Sequence, residues 1–263
     1  MTVAEGWTRG ASVRVHYLDN GRRGDDGGKG DDGRQEVGGR QKVETTPVLV
    51  VPGFGEAAEE YAWLIEALGD RRAVAMTPRG RGRSDAPETG YTWEDHIDDV
   101  EAVVAASAIG PCVLVGFSRG SSYALGFALR RPEAARGLVI GDYQARHVGL
   151  PPQFVDHQLA TSIRGVAMTE RMPVHAVAGV QRESVEIPLW DRLDELACPV
   201  LLVRGGRAGT LVDDEVEERY RRSLPSIRVA MLPRAGHDLW SRDPAAYLDV
   251  LVPYLRDVDA GRS

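Results

Sequence analysis

Cys112-Val113-Leu114-Val115-Gly116-Phe117-Ser118-Arg119-Gly120-Ser121-Ser122-Tyr123 is the stretch whose reading decides the fold. Four apolar residues form a run short enough for a buried strand, and a serine set between two glycines follows it directly. The residues after Ser118 carry a helical pattern to Arg130, with Pro132 beyond. A serine on a tight strand-to-helix turn is held in strained backbone, so small neighbours are needed for the turn to close. The helix N-terminus behind it favours negative charge developing nearby.

Outward from this turn, short β-branched runs alternate with helical patterns, the signature of a parallel sheet with crossover helices. The expected strands are Val48–Val51, Ala73–Met76, Cys112–Val115, Leu138–Ile140, Val200–Val203 and Ile227–Leu232. Ala57–Leu68 reads as a helix closed by Gly69. A second helix opens at Thr92, capped through Asp95, and buries Trp93, Ile97, Val100 and Val104. The last starts at Asp243 with Pro244 in the first turn. Val13, Val15 and Tyr17 alternate with Arg14, His16 and Leu18 after a turn at Gly10, an early strand. Residues 21–42 are almost wholly Gly and charged or amide residues, a disordered polar insertion. Residues 143–196 lack a clear buried strand and read as a small helical lid.

The chain of 263 residues, 43% hydrophobic, can bury one large core in one domain, residues 1–263. Its net charge of −7 gives no positive field for nucleic acid or an acidic membrane, so a small-molecule substrate is expected. Cys112 and Cys198 each begin an apolar run and read as buried thiols rather than a disulfide. With no membrane-length run and no apolar leader at the N-terminus, the expected location is cytoplasmic. Oligomeric state is not legible.

A serine hydroxyl needs a base to become a nucleophile, and His237, in Ala235-Gly236-His237-Asp238 after the last strand, is the best placed of six histidines. His16 falls on the early strand, His96 on a polar helix face, and His147, His157 and His175 in the lid. These five read as surface or packing residues.

Two further motifs carry a family resemblance. Val50-Val51-Pro52-Gly53-Phe54-Gly55 matches an oxyanion loop, with Pro-Gly where His-Gly is common, and Arg79-Gly80-Arg81-Gly82-Arg83-Ser84 matches an R-G-x-G-x-S loop. With the serine turn and the late histidine, they make the chain resemble the α/β-hydrolase superfamily, in its esterase, lipase and haloperoxidase-like branch, over nearly its whole length. The resemblance implies a mostly parallel central sheet with helices on both faces and a lid. It also implies an oxyanion hole from the Phe54 and Arg119 backbone N–H groups, a structural role for the arginine loop, and no metal or cofactor.

The acid departs from the commoner pattern. Val200–Val203 leads into Arg204-Gly205-Gly206-Arg207-Ala208-Gly209-Thr210, without a carboxylate, and glycine stands at position 209 where the family's acid would be expected. Asp213 and Asp214 follow at an expected helix start. Asp142, directly after Leu138–Ile140, matches members that carry the acid at the end of the sixth strand, and adjacent strand ends can both reach one histidine. Asp142 is the preferred candidate, with Asp213 and Asp214 as alternatives.

The resulting expectation is a serine hydrolase that cleaves an ester or related acyl bond through an acyl-enzyme on Ser118. The lid, with Phe154, Leu159, Ile163, Val166, Met168, Met172 and Trp190, points to a mainly apolar substrate. Two rivals stand beside it: a lyase, cyclase or epimerase using the same groups for acid/base chemistry, and a ligand-binding protein without turnover. Haloalkane dehalogenase and epoxide hydrolase chemistry is disfavoured, because those enzymes place aspartate where Ser118 stands.

Overall fold

The computed structural model describes residues 3–8, 13–21 and 45–262. Apart from Gly21, the expected polar insertion lies outside the described residues, as does the expected turn at Gly10. In chain order the elements are β1 (Ala4–Trp7), β2 (His16–Asp19), β3 (Val48–Val51), a 3₁₀ turn (Ala58–Tyr61) running into α1 (Ala62–Ala67), and β4 (Ala73–Met76). Then come α2 (Trp93–Ser107), β5 (Cys112–Phe117), α3 (Arg119–Arg130) and β6 (Ala135–Gly141). A long excursion holds β7 (Arg146–His147), α4 (Phe154–Leu159), β8 (Ser162–Ile163), β9 (Val166–Ala167), α5 (Met168–Arg171), α6 (Val174–Glu183), β10 (Ile187–Pro188) and a 3₁₀ helix (Trp190–Glu195). The chain closes with β11 (Val200–Gly205), α7 (Asp214–Ser223), β12 (Arg228–Leu232) and α8 (Pro244–Asp259).

Eight strands form one sheet in the order β1-β2-β4-β3-β5-β6-β11-β12. The six from β4 to β12 run parallel, and β1 and β2 are antiparallel at one edge. Successive strand side chains point to opposite faces, and here both faces are covered. Leu49, Val51, Leu114, Leu138, Ile140 and Leu202 pack with Trp93, Ile97, Val100, Val103 and Phe127 of α2 and α3. Val48, Val50, Val113, Val115, Val139, Leu201 and Val203 pack with Leu64, Ile65, Tyr247, Leu251 and Leu255 of α1 and α8. This two-sided burial explains the near-continuous apolar strands. Fully burying each such side chain contributes about 1.5–3 kcal/mol.

Helix starts follow their capping chemistry. Thr92 accepts the Asp95 amide at 3.1 Å while the Asp95 carboxylate accepts the Thr92 amide at 2.9 Å. Asp243 caps α8 through the Ala246 amide at 3.1 Å.

Four expectations need correction. β1 was not foreseen: Ala-Glu-Gly-Trp has no apolar alternation, and as an edge strand it is held by pairing with β2 rather than by burial. The early strand is His16–Asp19, and His16, Tyr17 and Leu18 are all buried, so its sequence alternation does not separate core from solvent. In α2 the innermost position after Val100 is Val103, with Val104 only partly buried. The 143–196 interval contains two two-stranded pairs, β7 with β10 and β8 with β9, beside its helices.

Cys112 is buried and Cys198 partly buried, both as free thiols. Among the described residues no helix is long and apolar enough to cross a membrane.

The β5–α3 turn closes only because two glycines let backbone meet backbone. A Cβ on Gly120 would run into the carbonyl oxygens of Val51 and Pro52, and one on Gly116 into the Ser121 backbone. Those obstacles are main chain, at the end of β3 and in the first turn of α3, and cannot swing aside. Gly120→Ala is therefore expected to lower unfolding free energy by about 1–3 kcal/mol or more, read as a drop in the urea midpoint at constant m. A midpoint within error of the parent would refute this account of the turn.

Candidate active site

Parallel strands deliver their C-terminal ends to one edge of the sheet, and the loops there converge. Ser118 leaves β5, Asp142 leaves β6, the segment 206–212 leaves β11, and His237 follows β12. Register fixes the spacing: Phe117 stands opposite Gly141, and Gly141 opposite Val203. The Ser118 amide donates to Gly141 O at 2.8 Å and the Asp142 amide to Val203 O at 2.8 Å. Both residues have positive φ, 50° for Ser118 and 44° for Asp142, a conformation L residues avoid at a cost of about 1–3 kcal/mol each.

These constraints bring three side chains into one chain of hydrogen bonds. His237 Nε2 lies 2.9 Å from Ser118 Oγ, and His237 Nδ1 lies 2.8 Å from Asp142 Oδ2. With a carboxylate at Nδ1, the proton sits there and Nε2 presents its lone pair to the serine. Phe117 stacks on the His237 ring at 5.0 Å between centroids and Trp240 packs edge-on against Phe117.

Asp142 is fully buried, and among the described residues His237 is the basic side chain it is paired with. Its oxygens accept the Leu211 amide at 2.9 Å, the Val212 amide at 3.2 Å and the Thr210 hydroxyl. The loop after β11, which lacks a carboxylate, thus supplies the donors that hold the carboxylate of its neighbour. Sequence reasoning missed this cradle, because backbone donors leave no signature in residue types. Asp213 caps α7 through the Val216 amide at 2.9 Å, and Asp214 is 93% exposed and paired with Arg204. Neither is joined to His237.

Arg119 is the first residue of α3, so its amide has no partner within the helix, and Phe54 stands across the cavity wall. The cavity over Ser118 has a volume of about 480 Å³. Its wall combines Phe54, Val148, Leu150, Phe154, Ile163 and Leu211 with polar residues including Gln144, Arg146 and Gln158. Of the seven apolar residues expected in the lid, Phe154 and Ile163 line it. Met168 and Met172 are buried around Tyr91 with Leu159 against them, Trp190 packs on Tyr220, and Val166 is exposed.

The 143–196 excursion is fastened to the body beside the site. Arg164, in the β8–β9 turn, reaches Glu56 at 2.9 Å, Glu60 at 3.1 Å and Asp238 at 3.2 Å. Glu56 is buried, accepts the Gly53 amide at 3.0 Å and the Tyr61 hydroxyl at 2.6 Å, and burial pushes its carboxyl up against the opposing pull of Arg164.

Behind the serine turn lie two histidines that sequence reasoning assigned only as surface or packing residues. His147 Nε2 faces Arg119 Nη2 at 2.7 Å and its Nδ1 faces Ser122 Oγ at 3.1 Å. His96 is buried rather than on a polar face: its ring stacks on Tyr123 at 4.3 Å and Nδ1 meets Thr92 O at 2.8 Å. Burial, then the Arg119 charge, pushes His147 down to about 2, and burial with Arg81 holds His96 well below the ordinary range. The arginine loop is structural at Arg79, whose guanidinium pairs with buried Asp99 at 2.6 Å. Among the described residues no group of three or more His, Cys, Asp or Glu is placed to hold a metal ion.

Comparison with known proteins bears on the fold and the family. A family model described as alpha/beta hydrolase fold matches residues 46–160. The chain is 32% identical over 229 residues to a 2-(acetamidomethylene)succinate hydrolase of Mesorhizobium japonicum, covering 73% of this chain and 81% of the relative. It is 24% identical over 251 residues to a putative 2-succinyl-6-hydroxy-2,4-cyclohexadiene-1-carboxylate synthase of Bacillus subtilis, covering 80% of this chain and 90% of the relative. Among solved structures, the enol-lactonase from Burkholderia xenovorans superposes with TM-score 0.75 at 16% identity, over 95% of this chain and all of the other.

The two depressed histidines set an acid limit. Unfolded, each takes a proton near its ordinary value of 6.5; folded, neither does. Their contribution to stability is fully present above that pH and is lost as pH falls, with a slope approaching about 2.7 kcal/mol per unit for two protons. His147→Gln is expected to reduce proton uptake on urea unfolding at about pH 5.5 by about one. Unchanged uptake would mean that His147 is already charged in the native state.

Proposed function

The chain belongs to the α/β-hydrolase fold family, and on that footing we propose that it is a serine hydrolase cleaving an ester or related acyl bond of a small substrate. The observation that carries the proposal is the unbroken hydrogen-bond chain from Ser118 Oγ through His237 to Asp142 at the floor of the cavity. Ser118 Oγ attacks the acyl carbonyl as His237 Nε2 takes its proton. Asp142, accepting from Nδ1, holds the tautomer and stabilises the imidazolium. The Phe54 and Arg119 amides donate to the oxyanion of the tetrahedral intermediate. His237 then protonates the leaving group, and water, activated by the same imidazole, releases the acyl group. The name of the 32% identical relative, a hydrolase, supports this reading. Two free thiols fit a reducing, cytoplasmic setting.

A second reading follows from the Bacillus relative, whose name is that of a synthase. In that case Ser118 and His237 would act as an acid/base pair on a bound substrate, with no acyl-enzyme.

Intact mass after treatment with a fluorophosphonate tests the activated serine. One adduct is expected on the parent and none on Ser118→Ala. Labelling should slow by about 10³-fold or more in His237→Ala and Asp142→Asn, with Asp214→Asn unaffected. A folded parent that takes no label would overturn the acyl-enzyme proposal and favour the second reading.

A further inference from the structure

The acyl-enzyme reading does not say which acyl group reaches Ser118; the inference drawn here rests on that reading. The chain carries a net charge of −7, yet among the described residues the wall of the Ser118 cavity holds Arg119 and Arg146 and neither Asp nor Glu. Such a reversal of charge in a concave site concentrates anions there.

The arginine charges are also incompletely neutralised. Arg119 is buried, and every partner of its guanidinium is neutral: Tyr123 Oη at 3.0 Å, Val148 O at 3.1 Å, His147 Nε2 at 2.7 Å and Ser184 Oγ. Arg81, also buried, lies over the ring of Phe54 on the cavity wall, 5.6 Å from its centroid. Its Nη1 meets Arg79 O at 3.0 Å and His96 Nε2 at 3.4 Å, Tyr123 and the charge of Asp99 lie near it, and among the described residues its Nε and Nη2 make no hydrogen bond. Taking a cation out of water without a counter-charge is costly, and a bound anion offsets that cost.

Arg146, on β7, is the arginine placed to make contact. Its Nη1 lies 3.3 Å from Glu186 Oε1 in a half-exposed pair that water and salt screen. Its Nε is buried and, among the described residues, makes no hydrogen bond. The side chain as a whole is about a third exposed, 36%, so its guanidinium can offer a carboxylate a charge-assisted hydrogen bond.

We propose that the acyl substrate carries a carboxylate, bound by the guanidinium of Arg146 in the field of Arg119 and Arg81, with its apolar body against Phe154, Ile163 and Leu211. Arg146 is then a specificity residue, and the expected mainly apolar substrate gains one anionic end.

Two p-nitrophenyl esters of equal length test this, the hemiglutarate with a terminal carboxylate and the valerate with a terminal methyl. The parent is expected to favour the hemiglutarate in kcat/KM by about tenfold or more, the worth of one charge-assisted hydrogen bond. That ratio should fall about tenfold in Arg146→Gln, mainly through KM, recover in part in Arg146→Lys, and shrink as salt is raised. A separate arm titrates glutarate into Ser118→Ala by calorimetry, expecting saturable binding that is lost when Arg146→Gln is added. Preference for the valerate, or a ratio indifferent to Arg146 and to salt, would overturn the proposal while leaving the hydrolase reading intact. If neither ester turns over and the fluorophosphonate does not label, the hydrolase reading falls. Glutarate binding then decides alone: dependence on Arg146 sustains the anion site, and absence of binding removes it.

Discussion

A carboxylate removed from water needs a full set of donors, and the burial of Asp142 imposes that requirement on two neighbouring loops at once. The hydroxyl of Thr210, the amides of Leu211 and Val212, and Nδ1 of His237 all converge on its two oxygens. An unpaired buried charge costs several kcal/mol, so any displacement that loses one of these donors is opposed. The carboxylate therefore does more than accept from the histidine. It fixes the loop after β11 and, through that loop, the wall at Leu211.

The sheet makes this arrangement affordable. Six parallel strands, the inner five largely buried on both faces, supply a rigid edge, and the strain at Ser118 and Asp142 is set against that stiffness. The two strained residues sit on neighbouring strand ends joined by the Ser118 amide to Gly141 O bond, so neither can relax without disturbing the β5–β6 pairing. The same closeness demands glycine at 116 and 120, where backbone crosses backbone. Behind the turn, Arg119 is held by neutral groups, a buried cation beside the cavity in a chain whose net charge is −7.

Much of this was legible in the sequence because it is local. The β-branched runs, the G-x-S-x-G turn, the Thr92 and Asp243 caps and the histidine after the last strand are each specified by a few adjacent residues. Asp142 could be nominated because it follows a strand directly, and strand ends in a parallel sheet are neighbours. What stayed hidden depends on partners remote in sequence. His96 was placed on a polar face, yet it shares the stripe of Trp93, Val100 and Val103, and only the packing of α3 through Tyr123 buries it. The Thr210–Val212 cradle is largely main chain. The role of Arg146 depends on a two-residue strand whose partner, β10, lies some forty residues on. Which of the apolar lid residues form the wall and which pack behind it stayed hidden, because composition does not separate the two.

The most direct test of the central claim, that Asp142 is the carboxylate bonded to His237, is low-field proton NMR of the Nδ1 proton in that bond. A strongly deshielded resonance is predicted for the parent and for Ser118→Ala, absent in His237→Ala and abolished or moved far upfield in Asp142→Asn. The same resonance persisting unchanged in a folded Asp142→Asn protein would contradict the account and return the role of the acid to another residue.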